Sequence, residues 1–330
     1  MNDSTTMLWI TPNPIFITSL ASRRCYTVAS FPELINELHE KGRTYQDRLL
    51  ARVFRENALD VFEHVHAYFI VQCKVGCIPA FIESYLKVSP ISDKDYLVSG
   101  NLRAFWNFCN LPSLWPKADL VRAFNYWLEL KIPYLFQAED KPKEVLEKVD
   151  PSFLRSISDN DVVKIWETDF DDIAMNCVNF GHSTMYDLND DVKEKHCAMM
   201  IGISNFSRVA SHQLVRHREF SYDQESLRFS SAHKECMIIP ASILEQENIE
   251  SLDFFISSVS DSVESFNVLR DHFKIPKEDA RFVIPMGINT KLVMTGTISS
   301  FKHIIKMREG TNAQWEIRNF VNKVKELLPS

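Results

Sequence analysis

The chain has 330 residues, of which 45% are hydrophobic and 25% charged, a globular composition far from disordered, fibrous or membrane-spanning classes. Its 8 glycines never stand two positions apart, which excludes a G-x-G-x-x-G dinucleotide fingerprint, and no G-x-x-x-x-G-K phosphate loop occurs. A formal charge of -7 speaks against a whole-surface nucleic-acid binder and leaves local basic patches as candidate anion sites for small ligands.

The opening MNDSTTMLWITPNPIFITSL has no basic residue ahead of its apolar ones and is interrupted by Pro12 and Pro14, so it does not read as a signal peptide. No run of about 18 uncharged apolar residues follows. A soluble, cytoplasmic protein with no membrane partner is expected. The 7 cysteines are odd in number and scattered, which fits reduced thiols rather than disulfide staples.

Helical periodicity runs over residues 31–41 and again over 45–56. Residues 62–73, FEHVHAYFIVQC, alternate like a buried strand, which puts His64 and His66 on one face by period two. Cys73 and Cys77 are spaced C-x3-C rather than C-x2-C, so no metal site is expected. Helices are predicted over 101–109 and 119–130. The charged, proline-bounded stretch 137–151 is the candidate linker between domains 1–150 and 151–330. Beyond it the pattern predicts a strand near 197–203 and helices near 207–217 and 244–273. The strand LVMTGT at 292–297 and helices at 299–307 and 313–328 complete the chain. This alternation predicts an α+β (α/β-type) fold with a mixed β-sheet flanked by helices. YLVSGNLRAF at 96–105 and LVMTGTISSF at 292–301 share a strand, a glycine and a helix start, the mark of a duplication or of chance.

Chemistry concentrates in SRVASHQLVRHREFSYDQESLRFS, residues 207–230. Gln213 and Arg216 fall on one helical face, Arg216, His217 and Arg218 close the helix, and Ser221, Ser226 and Arg228 follow. Cations at a helix C-terminus complement its dipole, which is one reading. Three cation-capable residues followed by hydroxyls and another arginine also suit a phosphate with a polar heterocycle beside it.

Residues 216–226 fit R-H-R-x7-S, and in this the chain resembles the flavin-dependent thymidylate synthases. FGHSTMYD at 180–187 is similar to that family's G-H-x-S/T-x-x-E-H segment, and EDARFVIP, FKHIIKMR and AQWEIR resemble its closing helices. The match covers about residues 170–328, the size of one family subunit. The resemblance implies reductive methylation of dUMP at C5, with FAD as cofactor and NADPH and methylenetetrahydrofolate as co-substrates. It assigns nucleotide contacts to Gln213, Arg216, Gln224, Ser226, Arg228, Arg281 and Arg308, with Ser226 and Arg308 in the catalytic set. Arg216, His217, Arg218, Asp223 and Thr184 would face the flavin.

One family feature is displaced. Where members carry Asn, Arg and a second Asn at the start of the penultimate helix, this chain has Thr297, Ser299 and His303. The missing set stands in the other half, as Asn101, Arg103 and Asn107, and FEHVHAYF offers Glu63 and His64 where the C-terminal segment has Asp187 and Leu188. The expected architecture is thus the family fold duplicated as a pseudo-dimer. Its N-terminal half would keep the flavin contacts and its C-terminal half the nucleotide contacts, and a homodimer would stand in for the family tetramer. Alternatives are a decayed N-terminal half with Asn101 as a mere helix cap, a C5 methylase or hydroxymethylase of another pyrimidine nucleotide, and a non-catalytic binding relative.

Overall fold

The structure, a computed structural model, describes residues 4–73, 78–110, 162–179, 188–230, 237–244 and 249–328, with 120, 121, 124, 125 and 128. Cys77, Thr184, the 137–151 stretch and most of the helix expected over 119–130 lie outside the described residues.

The first unit runs β1 (Ser4–Ile10), α1 (Pro14–Arg24), α2 (Phe31–Arg55), β2 (His66–Gln72), α3 (Ile78–Glu83), β3 (Lys87–Pro90), β4 (Asp95–Asn101) and α4 (Leu102–Asn110). The second runs β5 (Val162–Glu167), α5 (Phe170–Asn179), α6 (Asp190–His196), β6 (Ala198–Ser207), α7 (Arg208–Leu214), β7 (Ser221–Gln224), α8 (Ile249–Asn267), β8 (Asn289–Thr297), α9 (Ile298–Arg308) and α10 (Trp315–Leu327). Local chemistry sets several of these limits. Ser30 and Glu33 form a reciprocal capping box at the start of α2. Gly42, with φ at 65°, breaks that helix where the periodicity predicts two. The expected strand over 62–73 starts later than predicted, because Leu59–His64 closes as a 3-10 turn.

The sheets have orders β1-β2-β4-β3 and β5-β6-β8-β7, and every described ladder in both is antiparallel. The mixed sheet expected from the sequence is therefore corrected. The helical connections return the chain to the end of the sheet from which it left, so neighbouring strands run opposite ways despite the α/β alternation.

The registers match strand for strand. His66 pairs with Asn101 as Ala198 pairs with Thr297, and Lys87 pairs with Ser99 as Ser221 pairs with Thr295. By this register Glu63 and His64 correspond to Lys195 and His196, not to Asp187 and Leu188. The segment comparison fails here because α6 intervenes between Leu188 and β6.

Period-two alternation divides each sheet between two cores. Ala67, Phe69 and Val71 join Ala198, Met200 and Val293 in a core shared by both sheets. Tyr68 and Ile70 pack against Ile173 and Cys177 of α5, and Met199 and Ile201 pack against Ile304, Ile317 and Phe320 of α9 and α10. Each fully buried valine, isoleucine, phenylalanine or methionine among these contributes ~1.5–3 kcal/mol. Across the seam the Tyr68 hydroxyl donates to the His196 carbonyl at 2.9 Å, and the Phe31 ring packs so closely on Gly202 that a Cβ there would lie 2.7 Å from it.

Candidate active site

Between the two units lies a cleft of about 760 Å³. Glu63, Asn101, Arg103 and Asn107 line it from the first unit, and Arg218 and Ser221 from the second. Helix α4 presents the first set by its periodicity. Leu102, Ala104, Phe105 and Phe108 are buried, which turns Arg103 and Asn107, four apart, to the outer face. Asn101 ends β4 and caps the helix: its Oδ1 accepts the Ala104 N–H at 2.8 Å, leaving the side-chain amide nitrogen for the cleft. The capping role raised by the sequence is thus present, and it leaves the rest of the side chain at the cleft.

Glu63 ties the two units. One carboxylate oxygen accepts from Arg103 Nη1 at 2.5 Å and the other from Ser221 Oγ at 2.7 Å. A bond from the residue three positions after Arg218 therefore fixes the R-H-R loop against the first unit. Glycines let the floor close in: a Cβ on Gly100 would lie 2.7 Å from Leu86 Cδ2, and one on the equivalent Gly296 would lie 2.3 Å from the Phe220 ring.

The nucleotide candidates fall into two groups. In the first, Arg308 at the end of α9 donates from Nε to His217 Nε2 at 3.0 Å. Burial holds the His217 imidazole below its ordinary pKa, and the Arg308 charge acts in the same direction against that of Glu219, so the ring accepts as a neutral base. Arg216 beside it is exposed and Gln213 half-buried. In the second group Ser226 Oγ accepts the Arg228 N–H at 3.3 Å, Arg228 pairs with Glu278 at 3.1 Å, and Arg281 Nε donates to the Glu278 carbonyl at 3.1 Å. Gln224 points instead into the second unit, donating to Ser211 Oγ and Thr290 Oγ1 at 2.9 and 3.0 Å.

Asp223, expected at the flavin, is 2% exposed and faces away from the cleft. Its Oδ2 lies 3.2 Å from His64 Nε2, its Oδ1 accepts from the Cys25 thiol at 3.3 Å, and burial raises its pKa. Thr297 caps α9 and bonds the Ser299 and Ser300 hydroxyls, both at 2.9 Å, so this helix start is closed on itself.

Sequence reasoning missed Arg208. It donates to the Glu225 carbonyl at 2.6 Å, burial lowers its pKa, the Arg281 charge adds to that, and its buried Nε has no partner. The signal was present: a cation at the first position of a helix opposes the dipole, and such a conflict needs a reason outside the helix.

Comparison with known proteins places the second unit in a family. A family model described as "Thymidylate synthase complementing protein" matches residues 168–330. The flavin-dependent thymidylate synthase of Thermococcus onnurineus is 31% identical over 153 residues, covering 44% of this chain and 57% of its own length. That of Geobacter sulfurreducens is 34% identical over 136 residues, covering 41% and 57%, and that of Pyrococcus horikoshii 32% over 166 residues, covering 49% and 67%. The chain thus spans a little over half the length of the first two. A crystal structure of the Helicobacter pylori enzyme complexed with FAD and dUMP overlaps 52% of this chain and 94% of its own, with 17% identity and a TM-score of 0.38. With 32% identity to a relative that it covers over 67% of its length, and a family match over residues 168–330, which include R-H-R-x7-S, the chain belongs to the flavin-dependent thymidylate synthase family.

Proposed function

We propose that the protein is a flavin-dependent thymidylate synthase that methylates dUMP at C5 with methylenetetrahydrofolate, using FAD and NADPH. The observation that carries this reading is Glu63: it joins Arg103 of the first unit to Ser221 of the second, in a cleft that also gathers Asn101, Asn107 and Arg218. Neither half supplies that set alone.

The residues fit a flavin dinucleotide. About 760 Å³ is the size of a cofactor pocket, and the guanidinium and amide donors suit its polar groups. When bound, reduced FAD would supply the hydride. The chain's part is to bind and orient. Arg103, Arg218, Asn101 and Asn107 would hold the cofactor, with His217 and Arg216 at its edge. Ser226, Arg228 and Arg281 would take the nucleotide phosphate, and Arg308, oriented by neutral His217, would polarise the pyrimidine ring. Gln213 completes the nucleotide set. In this reading Asp223 and Gln224 position β7 rather than touch ligand.

A homodimer belongs to this reading: a second copy would bring Arg228 and Arg281 of one chain to Arg216 and Arg308 of the other. Phe282, 84% exposed beside Arg281, with exposed Val283 and Met286, offers the apolar surface for it. The same unit order within one chain supports origin by duplication.

The test is the product formed from dUMP, methylenetetrahydrofolate and NADPH by purified protein of measured FAD content. Formation of dTMP, with UMP and dCMP left unchanged, is expected. Methylation of UMP or dCMP instead would move the assignment to another pyrimidine nucleotide. Bound flavin without turnover would make the chain a non-catalytic relative.

A further inference from the structure

The fold around the cleft is two-fold, but its charges are not. The register that carries Glu63 to Lys195 also carries Ser221 to Lys87. Where one side has a carboxylate bonded to a hydroxyl, the other has two ammonium groups, and all four residues line the cleft. Lys195 Nζ donates to the Val88 carbonyl at 3.0 Å, one residue from Lys87. Burial holds Lys195 below its ordinary pKa, and the Lys87 charge adds to that. Among the described residues neither lysine has a carboxylate in ion-pair contact; Glu194, next in sequence, is engaged by Lys302 at 2.5 Å. Two like charges held together without a counter-charge are a place for an anion.

An aromatic ring stands beside them. Tyr85 occupies the turn between α3 and β3 with φ at 66° and is 81% exposed. Left-handed backbone is disfavoured for a bulky side chain, and such outliers cluster at ligand sites. Leu86, the next residue, is buried in the space that Gly100 leaves, which fixes the turn and holds the Tyr85 ring at the lip of the cleft beside exposed Ile82. His66 and His196, also in the lining, are pushed down to about 3 by burial and add no charge.

We propose that Tyr85, Lys87 and Lys195 form a nucleotide subsite, in which a planar base lies on the Tyr85 ring and a pyrophosphate sits between the two ammonium groups. Exposed rings take bases by stacking, and lysines take phosphates as point charges. This is the chemistry of an adenosine diphosphate moiety. It occurs both in the distal half of a flavin dinucleotide and in a nicotinamide dinucleotide. The subsite stands on the charge pair and the ring, independently of the flavin reading.

The test is calorimetric titration of the full chain, washed free of bound nucleotide as judged by its absorbance, with ADP and separately with inorganic pyrophosphate. Both should bind the parent. Lys87→Ser combined with Lys195→Gln should weaken both at least about tenfold, a difference that shrinks at high salt. Tyr85→Ala should weaken ADP about fivefold and leave pyrophosphate unchanged, and Tyr85→Phe should restore ADP binding. All three residues changed are exposed, and an unchanged unfolding midpoint checks that the variants fold. ADP binding equally tight in parent and lysine variant, or no ADP binding by the parent, overturns the subsite. Flavin content then tells the source. Its loss in the lysine variant means that the subsite holds the cofactor's own diphosphate, whereas retained flavin with a raised KM for NADPH means that it holds the reductant. A parent that binds ADP but no flavin sinks the flavin reading and leaves the subsite standing.

Discussion

His64 and His196 occupy one register position in the two units, and each ring is held by strands of the opposite unit. His64 Nδ1 lies 2.8 Å from Thr295 Oγ1, and His196 Nδ1 lies 2.7 Å from Ser99 Oγ. The second ring nitrogens differ: His64 Nε2 faces Asp223 at 3.2 Å, whereas His196 Nε2 meets Ser89 Oγ at 2.9 Å. Ser89 and Asp223 are themselves equivalent in register. One seam contact is therefore neutral, and its counterpart has an acid in it.

The two should respond differently to truncation. His64→Ala leaves Asp223 buried beside only the weak Cys25 donor, and a loss of ~3–5 kcal/mol is expected. His196→Ala leaves two serine hydroxyls, for ~1–3 kcal/mol plus the cavity term. Urea unfolding of both variants checks the order, and equal losses would mean that the Asp223 contact carries no charge.

Stability should fall on acidification through the histidines. Burial pushes His196 and His66 down to about 3, with Lys87 adding to both, against an ordinary value of 6.5. As pH drops below 6.5 the unfolded chain takes up protons that the folded chain refuses. The contribution is thus complete above that pH and lost toward about 3, at up to ~1.4 kcal/mol per pH unit for each histidine. Asp223, raised by burial, acts the opposite way above the ordinary carboxylate range. His196→Gln should remove one histidine's share of the slope; an unchanged slope would refute a neutral His196.

Flavin content separates the cap made by Asn101 from its proposed flavin contact. Asn101→Ala should cost ~1 kcal/mol through the lost cap, whereas Asn101→Ser keeps a capping oxygen and should cost little. Both remove the amide, and with Arg103→Ala both should strip FAD from a parent holding one flavin per chain. Unchanged absorbance of the bound flavin in the double variants, or two flavins per chain in the parent, would contradict the shared cleft.

The arginines should divide by kinetics. Arg228→Ala and Arg281→Ala should raise KM for dUMP by the equivalent of ~2–5 kcal/mol in buried contact with phosphate. Neither should much affect folding, since the Arg228–Glu278 pair is half-exposed and worth under ~1 kcal/mol. Arg308→Ala should lower kcat more than it raises KM. Small and equal effects on all three would leave them as surface charges.

No cysteine should be needed for chemistry. Burial raises the described thiols that shift, Cys177 to about 11 and Cys197 to about 12, and Cys25 is raised further with Asp223 adding to burial. None of these is a thiolate at neutral pH. Single Cys→Ser variants should retain turnover within ordinary stability losses, as steady-state assays will show.

Much of this was legible in the residues. The break at Gly42 and the ends of β8 and α9 follow from periodicity, whereas Asn101, Arg103 and Asn107 stood out only through the family resemblance. The antiparallel direction did not, because helix and strand content does not say to which end of a sheet a connection returns. Edge strand β3 is four residues ending in Pro90, too short for alternation to register. The equivalence of His64 with His196 was hidden by α6, which lengthens one connection and not the other.

When two identical chains face each other, every substitution arrives at both ends of the axis at once. A lysine placed opposite Ser221 would then appear in both mirror positions, and the Glu63 bridge would be lost with it. Because both units here are written in one chain, position 63 and position 195 can change separately, and so can 87 and 221. A chain that carries both units thus leaves the two lips of a single cleft free to change independently.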